Sequence, residues 1–259
     1  MIDSHCHLAD ETFAGDLDAV VARARAAGVE RALVVLAAGD AKESAQAQQV
    51  ERLWPEVRFA IGVHPHQAHQ FADNPTRAVD VVREQLTATP SARAVGEIGL
   101  DYHYDLSPRD VQQAVFRAQV RLALELGRPI VVHTREADAD TVAILRQEGG
   151  GQVCGVLHCF TGTPELARAG LDLGFYISLA GIITFPKAGE LRDTAYAIPE
   201  ARLLAETDSP FLAPVPYRGT RNEPAHVARI IDTLAGIHGI DAGAMARHTA
   251  ANFHTLFCP

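Results

Sequence analysis

The chain has little of what would tie it to a membrane, an oxidising compartment or duplex nucleic acid. Its longest apolar runs, such as Ala32-Leu33-Val34-Val35-Leu36-Ala37-Ala38 behind Arg31, fall far short of the length that spans a bilayer. No basic segment followed by an apolar stretch opens the chain, and a strand-like pattern begins at Ile2, so a cytoplasmic protein is expected. Cysteine is sparse: Cys6, Cys154, Cys159 and Cys258 form no CxxC pair and no disulfide framework, and reduced thiols in or beside buried strands are expected for the first three. Basic residues are outnumbered, with 23 Lys plus Arg against 32 Asp plus Glu and a net charge of −9. A broad basic face for duplex nucleic acid is therefore excluded. An enzyme working at one phosphodiester is not, because metal ions and a few arginines can dominate the field in a cleft. There is no GxGxxG and no GxxxxGK[ST] phosphate loop, which weakens a nucleotide-binding fold. Nothing points to an obligate protein partner.

What the 259 residues do contain is alternation from end to end. Short apolar runs at 2–7, 31–37, 58–63, 93–98, 129–133, 153–158, 174–179 and 202–206 predict strands. Alanine-rich amphipathic stretches at 16–27, 41–53, 75–87, 108–126, 136–148, 164–172, about 187–197 and 223–238 predict helices, with a final one at 241–250. Gly28 and Gly127 stand where helix ends are expected. Strand and helix in strict turn imply parallel strands with right-handed crossovers. Eight such units favour a closed α/β architecture, the (β/α)8 TIM barrel, over an open sheet, and with no linker in the chain the expectation is one domain over 1–259.

A barrel of this kind carries its chemistry at the C-terminal strand ends. Reading only those positions gives His5 and His7 on strand one, His64 on strand three, Glu97 and Asp101 on strand four, His133 on strand five, His158 on strand six, and Glu206 and Asp208 on strand eight. In His5-Cys6-His7 the side chains alternate, so both imidazoles share a face about 7 Å apart along the strand while Cys6 points the other way. Four histidines (His5, His7, His133, His158) and two carboxylates (Glu97, Asp208) suit two cations better than one. Glu97 would bridge, with His5, His7 and Asp208 on one ion and His133 and His158 on the other. Cations ~3.5–4 Å apart can share a water, lower its pKa and clamp both oxygens of a displacement. A mixed nitrogen and oxygen set fits zinc, manganese, iron or nickel; magnesium stays among the candidates although it prefers oxygen alone. After Asp208, Arg218 and Arg221 could each fork onto a phosphate, and Asn222-Glu223-Pro224 reads as the cap and first turn of helix eight.

These motifs together resemble the TatD-type metal-dependent deoxyribonuclease family of the amidohydrolase-like metallohydrolases. The matching segments are Asp3-Ser4-His5-Cys6-His7-Leu8, Gly62-Val63-His64-Pro65, Gly96-Glu97-Ile98-Gly99-Leu100-Asp101-Tyr102, His133-Thr134-Arg135, His158-Cys159-Phe160-Thr161-Gly162, Glu206-Thr207-Asp208-Ser209-Pro210 and Arg221-Asn222-Glu223-Pro224, in order over nearly the whole chain. The resemblance implies a somewhat distorted TIM barrel and a divalent-metal centre on His5, His7, Glu97, His133, His158 and Asp208. It also implies phosphodiesterase activity, often as a 3′-exonuclease, with single-stranded DNA or nucleic-acid 3′ ends as substrate. Two positions depart from the family pattern: Thr220 stands where a Lys is common, and Pro186 precedes Lys187.

The chemistry expected is attack of an activated water on phosphorus, with Asp208 accepting its proton, Glu97 bridging, and Arg218 or Arg221 holding the phosphate. The same centre could instead hydrolyse an aminoacyl ester or another small ester, and a metal-binding protein without turnover is the remaining alternative. His64 either meets substrate or leaving group or hydrogen-bonds across the site. Glu206 orients Asp208, faces the cavity or makes a structural ion pair. Asp101 and Arg135 orient ligands or cap loops. His66 and His69 are expected on the surface, and Cys159 in packing.

Overall fold

A computed structural model describes residues 1–258. Eight parallel strands follow one another in chain order: β1 (Ile2–Cys6), β2 (Arg31–Ala37), β3 (Arg58–Gly62), β4 (Ala92–Asp101), β5 (Ile130–Arg135), β6 (Gly155–Leu157), β7 (Tyr176–Leu179) and β8 (Leu203–Ala205). Helices α1 (Leu17–Ala26), α2 (Ala41–Leu53), α3 (Thr76–Ala88), α4 (Arg109–Leu126), α5 (Asp138–Gly149), α6 (Pro164–Asp172), α7 (Gly189–Tyr196) and α8 (Val227–His238) alternate with them, and α9 (Ala242–Phe257) closes the chain. This is the connectivity of a (β/α)8 barrel. The chain divides into two compact units, one of Met1–Val35, Ala41–Arg58 and the residues from Ile177 on, the other of Leu36–Asp40 and Phe59–Tyr176.

In the first unit β1 pairs with β2, and β7 with β8, both in parallel. The strands are buried throughout or nearly so, as strands covered on both faces must be. Trp54 and Phe13 are fully buried, and the Trp54 indole donates to the Glu30 carbonyl at 3.3 Å. Helix α9 runs well past the expected 250. Met245, Thr249, Asn252, Phe253, Leu256 and Phe257 continue a buried stripe at three- and four-residue spacing. Burying each of those phenylalanines stabilises by roughly 1.5–3 kcal/mol, which keeps the last turn helical. Asp241 caps its start by accepting from Ala244 N at 3.0 Å.

In the second unit β3, β4, β5 and β6 pair in sequence, all parallel. Strand β4 extends to Asp101 because its last residues, Gly99 to Asp101, stay in register with His133 to Arg135 of β5. That register needs a glycine. Gly99 has φ +141°, and a Cβ there would collide with the His133 carbonyl oxygen. Helix α5 starts two residues later than expected because Glu136, at φ +54°, turns the chain out of β5. Strands β6 and β8 are shorter than expected, so His158, Glu206 and Asp208 sit just beyond strand ends. Cys154, expected beside a buried strand, lies exposed before β6.

Candidate metal centre

The first unit carries His5, His7, Glu206 and Asp208. The C-terminal end of β1 is zipped to the segment after β8: Asp208 N donates to His5 O at 3.0 Å, and His7 N to Ser209 O at 2.8 Å. Asp3, fully buried, ties the same two segments from the other side. It accepts from Thr207 N at 2.9 Å and from the Thr207 hydroxyl at 2.6 Å. Asn222, expected as the cap of helix eight, does not cap it, because a 3-10 turn at Pro224–His226 intervenes and α8 starts only at Val227. The Asn222 Nδ2 donates to Thr207 O at 2.8 Å and Phe211 O at 2.7 Å, and its Oδ1 accepts from Glu223 N at 2.9 Å. The backbone around Asp208, itself at φ +55°, is thus held from three directions.

The side chains then converge. His5 Nε2 and His7 Nε2 are 3.2 Å apart, and Asp208 Oδ1 lies 3.7 Å from the first and 3.4 Å from the second. One proton can serve only one contact of such a triangle, whereas a cation can take a lone pair from all three. Glu206 is fully buried, one residue past β8, with its N–H donating to Leu179 O at 3.1 Å. The two arginines make other contacts. Arg218 is exposed and lies 3.7 Å over the Phe185 ring. Arg221 forks onto Asp16 at 2.8 and 2.7 Å, donates to Thr12 O at 2.7 Å and covers Phe13.

The second unit gathers His64, His66, Glu97, Asp101, His133 and His158. Glu97 Oε1 is the hub, at 2.7 Å from His158 Nε2, 2.9 Å from His133 Nδ1 and 3.2 Å from His64 Nε2. Burial pushes the Glu97 carboxyl up, but the facing His158, His64 and His133 rings outweigh it and hold it well below the usual carboxylate range. His64 Nδ1 accepts from His66 N at 3.2 Å, so its proton belongs on Nε2, facing Glu97. Burial drives the His64 pKa down to about 4, so the ring is neutral near pH 7. Burial pushes His133 down too, but Asp101 and Glu97 lift it above the usual range.

Asp101 is the member whose role the sequence left open. Its Oδ2 accepts from His66 Nε2 at 2.7 Å and His133 Nε2 at 3.1 Å, while Oδ1 accepts from the backbone of His103 and Tyr104. Burial would raise its pKa, yet these bonds hold it below the usual range. Asp101 therefore both orients His133 and caps the following turn. With Nε2–H directed to Asp101, loss of the Nδ1 proton on metal binding would leave an Nδ1 lone pair on the Glu97 side, the arrangement that prepares an imidazole to bind a metal. His66 is not the surface residue expected, because the turn Pro65–Phe71 swings its ring back onto Asp101. His69 is exposed. The Arg135 guanidinium lies 4.9 Å from the Tyr104 ring centre.

Two residues on the buried face of α4 escaped the sequence reading. Gln119 Oε1 accepts from Val63 N at 2.8 Å and its Nε2 donates to Val63 O at 3.1 Å, fixing the chain next to His64. Gln112 does the same for Asp101, at 2.8 and 3.1 Å. Their signal is an amide at two positions seven apart on an otherwise apolar stripe.

The TatD-related DNase family matches residues 2–258. The chain belongs to that family. YcfH from Escherichia coli K12, an uncharacterized metal-dependent hydrolase, is 42% identical over 260 residues, covering 99% of this chain and 95% of its own. The 3′-5′ ssDNA/RNA exonuclease TatD of Edwardsiella piscicida is 38% identical over 263 residues, with 99% of each chain covered. The crystal structure of YJJV, a TatD homologue from Escherichia coli K12, matches with TM-score 0.89 at 30% identity, over 99% of this chain and 97% of that one. This TatD-family chain is thus a metal-dependent hydrolase acting on ester bonds, on a (β/α)8 barrel. In the second unit, His64, Glu97 and His133 form one buried or half-buried cluster fit to hold a cation.

Proposed function

We propose that this chain is a phosphodiesterase that removes nucleotides from the 3′ ends of single-stranded nucleic acid, using two divalent cations. The observation that carries the reading is the Glu97 hub, a buried carboxylate oxygen within 2.9 Å of both His158 Nε2 and His133 Nδ1. In this assignment Glu97, His133 and His158 hold one cation, and His5, His7 and Asp208 hold the other. Four imidazoles with carboxylates favour zinc, manganese, iron or nickel over magnesium. The cations, when bound, supply Lewis acidity toward the phosphate and make water acidic enough to attack near neutral pH.

The chain's own residues supply the rest. Asp208 accepts the proton of the attacking water from a backbone held in place, its N–H donating to the His5 carbonyl and Asn222 donating to the Thr207 carbonyl before it. His64, neutral with its proton on Nε2, is placed to donate to a phosphate oxygen or the leaving oxygen beside Glu97. Arg218, exposed and stacked on Phe185, is the arginine placed to meet the phosphate. Arg221 holds its loop to Asp16 and acts on the substrate only by releasing it. Relatives at 37–38% identity named as 3′-5′ ssDNA/RNA exonucleases support the nucleic-acid substrate. The aminoacyl-ester reading has no comparable support.

The test is metal removal. Chelated protein should lose hydrolysis of 3′-labelled single-stranded DNA, and restoring zinc or manganese should return it. Full activity after complete chelation would overturn the reading.

A further inference from the structure

The geometry points to a nucleobase-binding subsite at Tyr104 and Arg135, which rests on the nucleic-acid reading above. Tyr104 leaves 55% of its surface exposed. Yet the ring is not loose. Its backbone N–H is pinned by Asp101 Oδ1 at 2.9 Å, and the other oxygen of that carboxylate holds His133 and His66. The Tyr104 ring stands edge-to-face with His66 at 5.6 Å and with His103 at 4.9 Å. His66 is in turn 6.1 Å from the His133 ring. One imidazole therefore separates an exposed, oriented aromatic from a proposed metal ligand. Arg135, two residues beyond His133 at the end of β5, lays its guanidinium over the same ring. It is exposed and has no carboxylate partner among the described residues.

A flat ring beside an unneutralised guanidinium matches the two parts of a nucleotide. Bases of every kind offer a face for stacking, and arginine forks onto phosphate. The Tyr104 ring stacks on the base adjoining the scissile phosphodiester, and Arg135 neutralises the neighbouring phosphate. The chemistry selects a base-bearing strand without reading which base it carries, as stacking does.

The experiment compares kcat/KM on two 5′-labelled single strands, one with ordinary 3′-terminal nucleotides and one whose 3′-terminal sugars lack bases. In Tyr104→Ala the ratio of the first to the second should fall about fivefold or more, the low end of what one base stack contributes. Tyr104→Phe, which keeps the ring, should hold the wild-type ratio. Arg135→Gln should lower both rates and leave the ratio unchanged, because both strands carry the phosphate. A ratio within twofold of wild type in Tyr104→Ala would overturn the subsite while leaving the nuclease reading intact. Failure of the metal-loaded wild type to cut either strand would instead overturn the nuclease reading on which the subsite rests.

Discussion

At the scale of single residues, Asp101 does the most with one carboxylate. Two imidazoles and two backbone N–H groups converge on it, and their bonds keep it ionised despite full burial. An asparagine in its place would offer one acceptor oxygen and would turn an NH2 toward a ring nitrogen that needs an acceptor. His133 would then be free to swap tautomer and lose its Nδ1 lone pair toward Glu97. Asp101→Asn should therefore weaken metal binding about 10- to 100-fold, measured by competition with a chelating dye, while circular dichroism stays that of the wild type. Unchanged metal affinity would remove Asp101 from this role. The sequence placed Asp101 at a strand end and left orienting and capping as alternatives; the structure gives it both, because a carboxylate has two oxygens facing two directions. His66 was not legible in the same way. It follows Pro65 into a tight turn, where strand alternation no longer says which way a side chain points.

At the scale of elements, the hydrophobic period identified all eight strands and the helices, because buried parallel strands and one-faced helices leave strong patterns. Their ends were less legible. Strand β5 stops where Glu136 takes a left-handed conformation, and β8 stops three residues before Asp208 does the same. Such turns are set by local hydrogen bonds rather than by polarity. Helix α4 shows what polarity hides. Gln112 and Gln119 sit among Val115, Phe116 and Val120 on its buried face, and each serves both backbone groups of a strand-end residue. Gln119→Leu keeps the volume but leaves the Val63 N–H and carbonyl without their partners. It should cost about 2–6 kcal/mol in denaturant unfolding, from two buried groups at roughly 1–3 kcal/mol each. Gln49→Leu, on the exposed face of α2, should stay within about 0.5 kcal/mol of wild type. If the two substitutions cost the same, the clamp on Val63 contributes nothing to the fold.

At the scale of the whole molecule, the proposed function sets a net charge of −9 against a polyanionic substrate. Long-range attraction cannot gather the strand, so affinity has to come from short-range contacts at the site: cations, a stacked base, and a few guanidiniums. Each phosphate neutralised by a protein cation on a single strand contributes about −0.7 to the slope of log K against log salt. With Arg135 and Arg218 as the contacts, the slope is about −1.4, so a fourfold rise in salt should lower kcat/KM by about sevenfold. Screening of the protein's own negative field works the other way, since it eases approach of the strand, and this makes sevenfold an upper bound. Steady-state rates on a single-stranded oligonucleotide at saturating metal, across a series of potassium chloride concentrations, measure it. A loss of about a thousandfold would mean about seven or more phosphates engaged along an extended basic track. Such a track is at odds with 23 basic residues against 32 acidic ones, and with Arg23, Arg83, Arg117, Arg121 and Arg221 already committed to carboxylates. A shallow slope together with a strong dependence on Tyr104 would identify an enzyme that grips the end of a strand and leaves the rest of it in solvent.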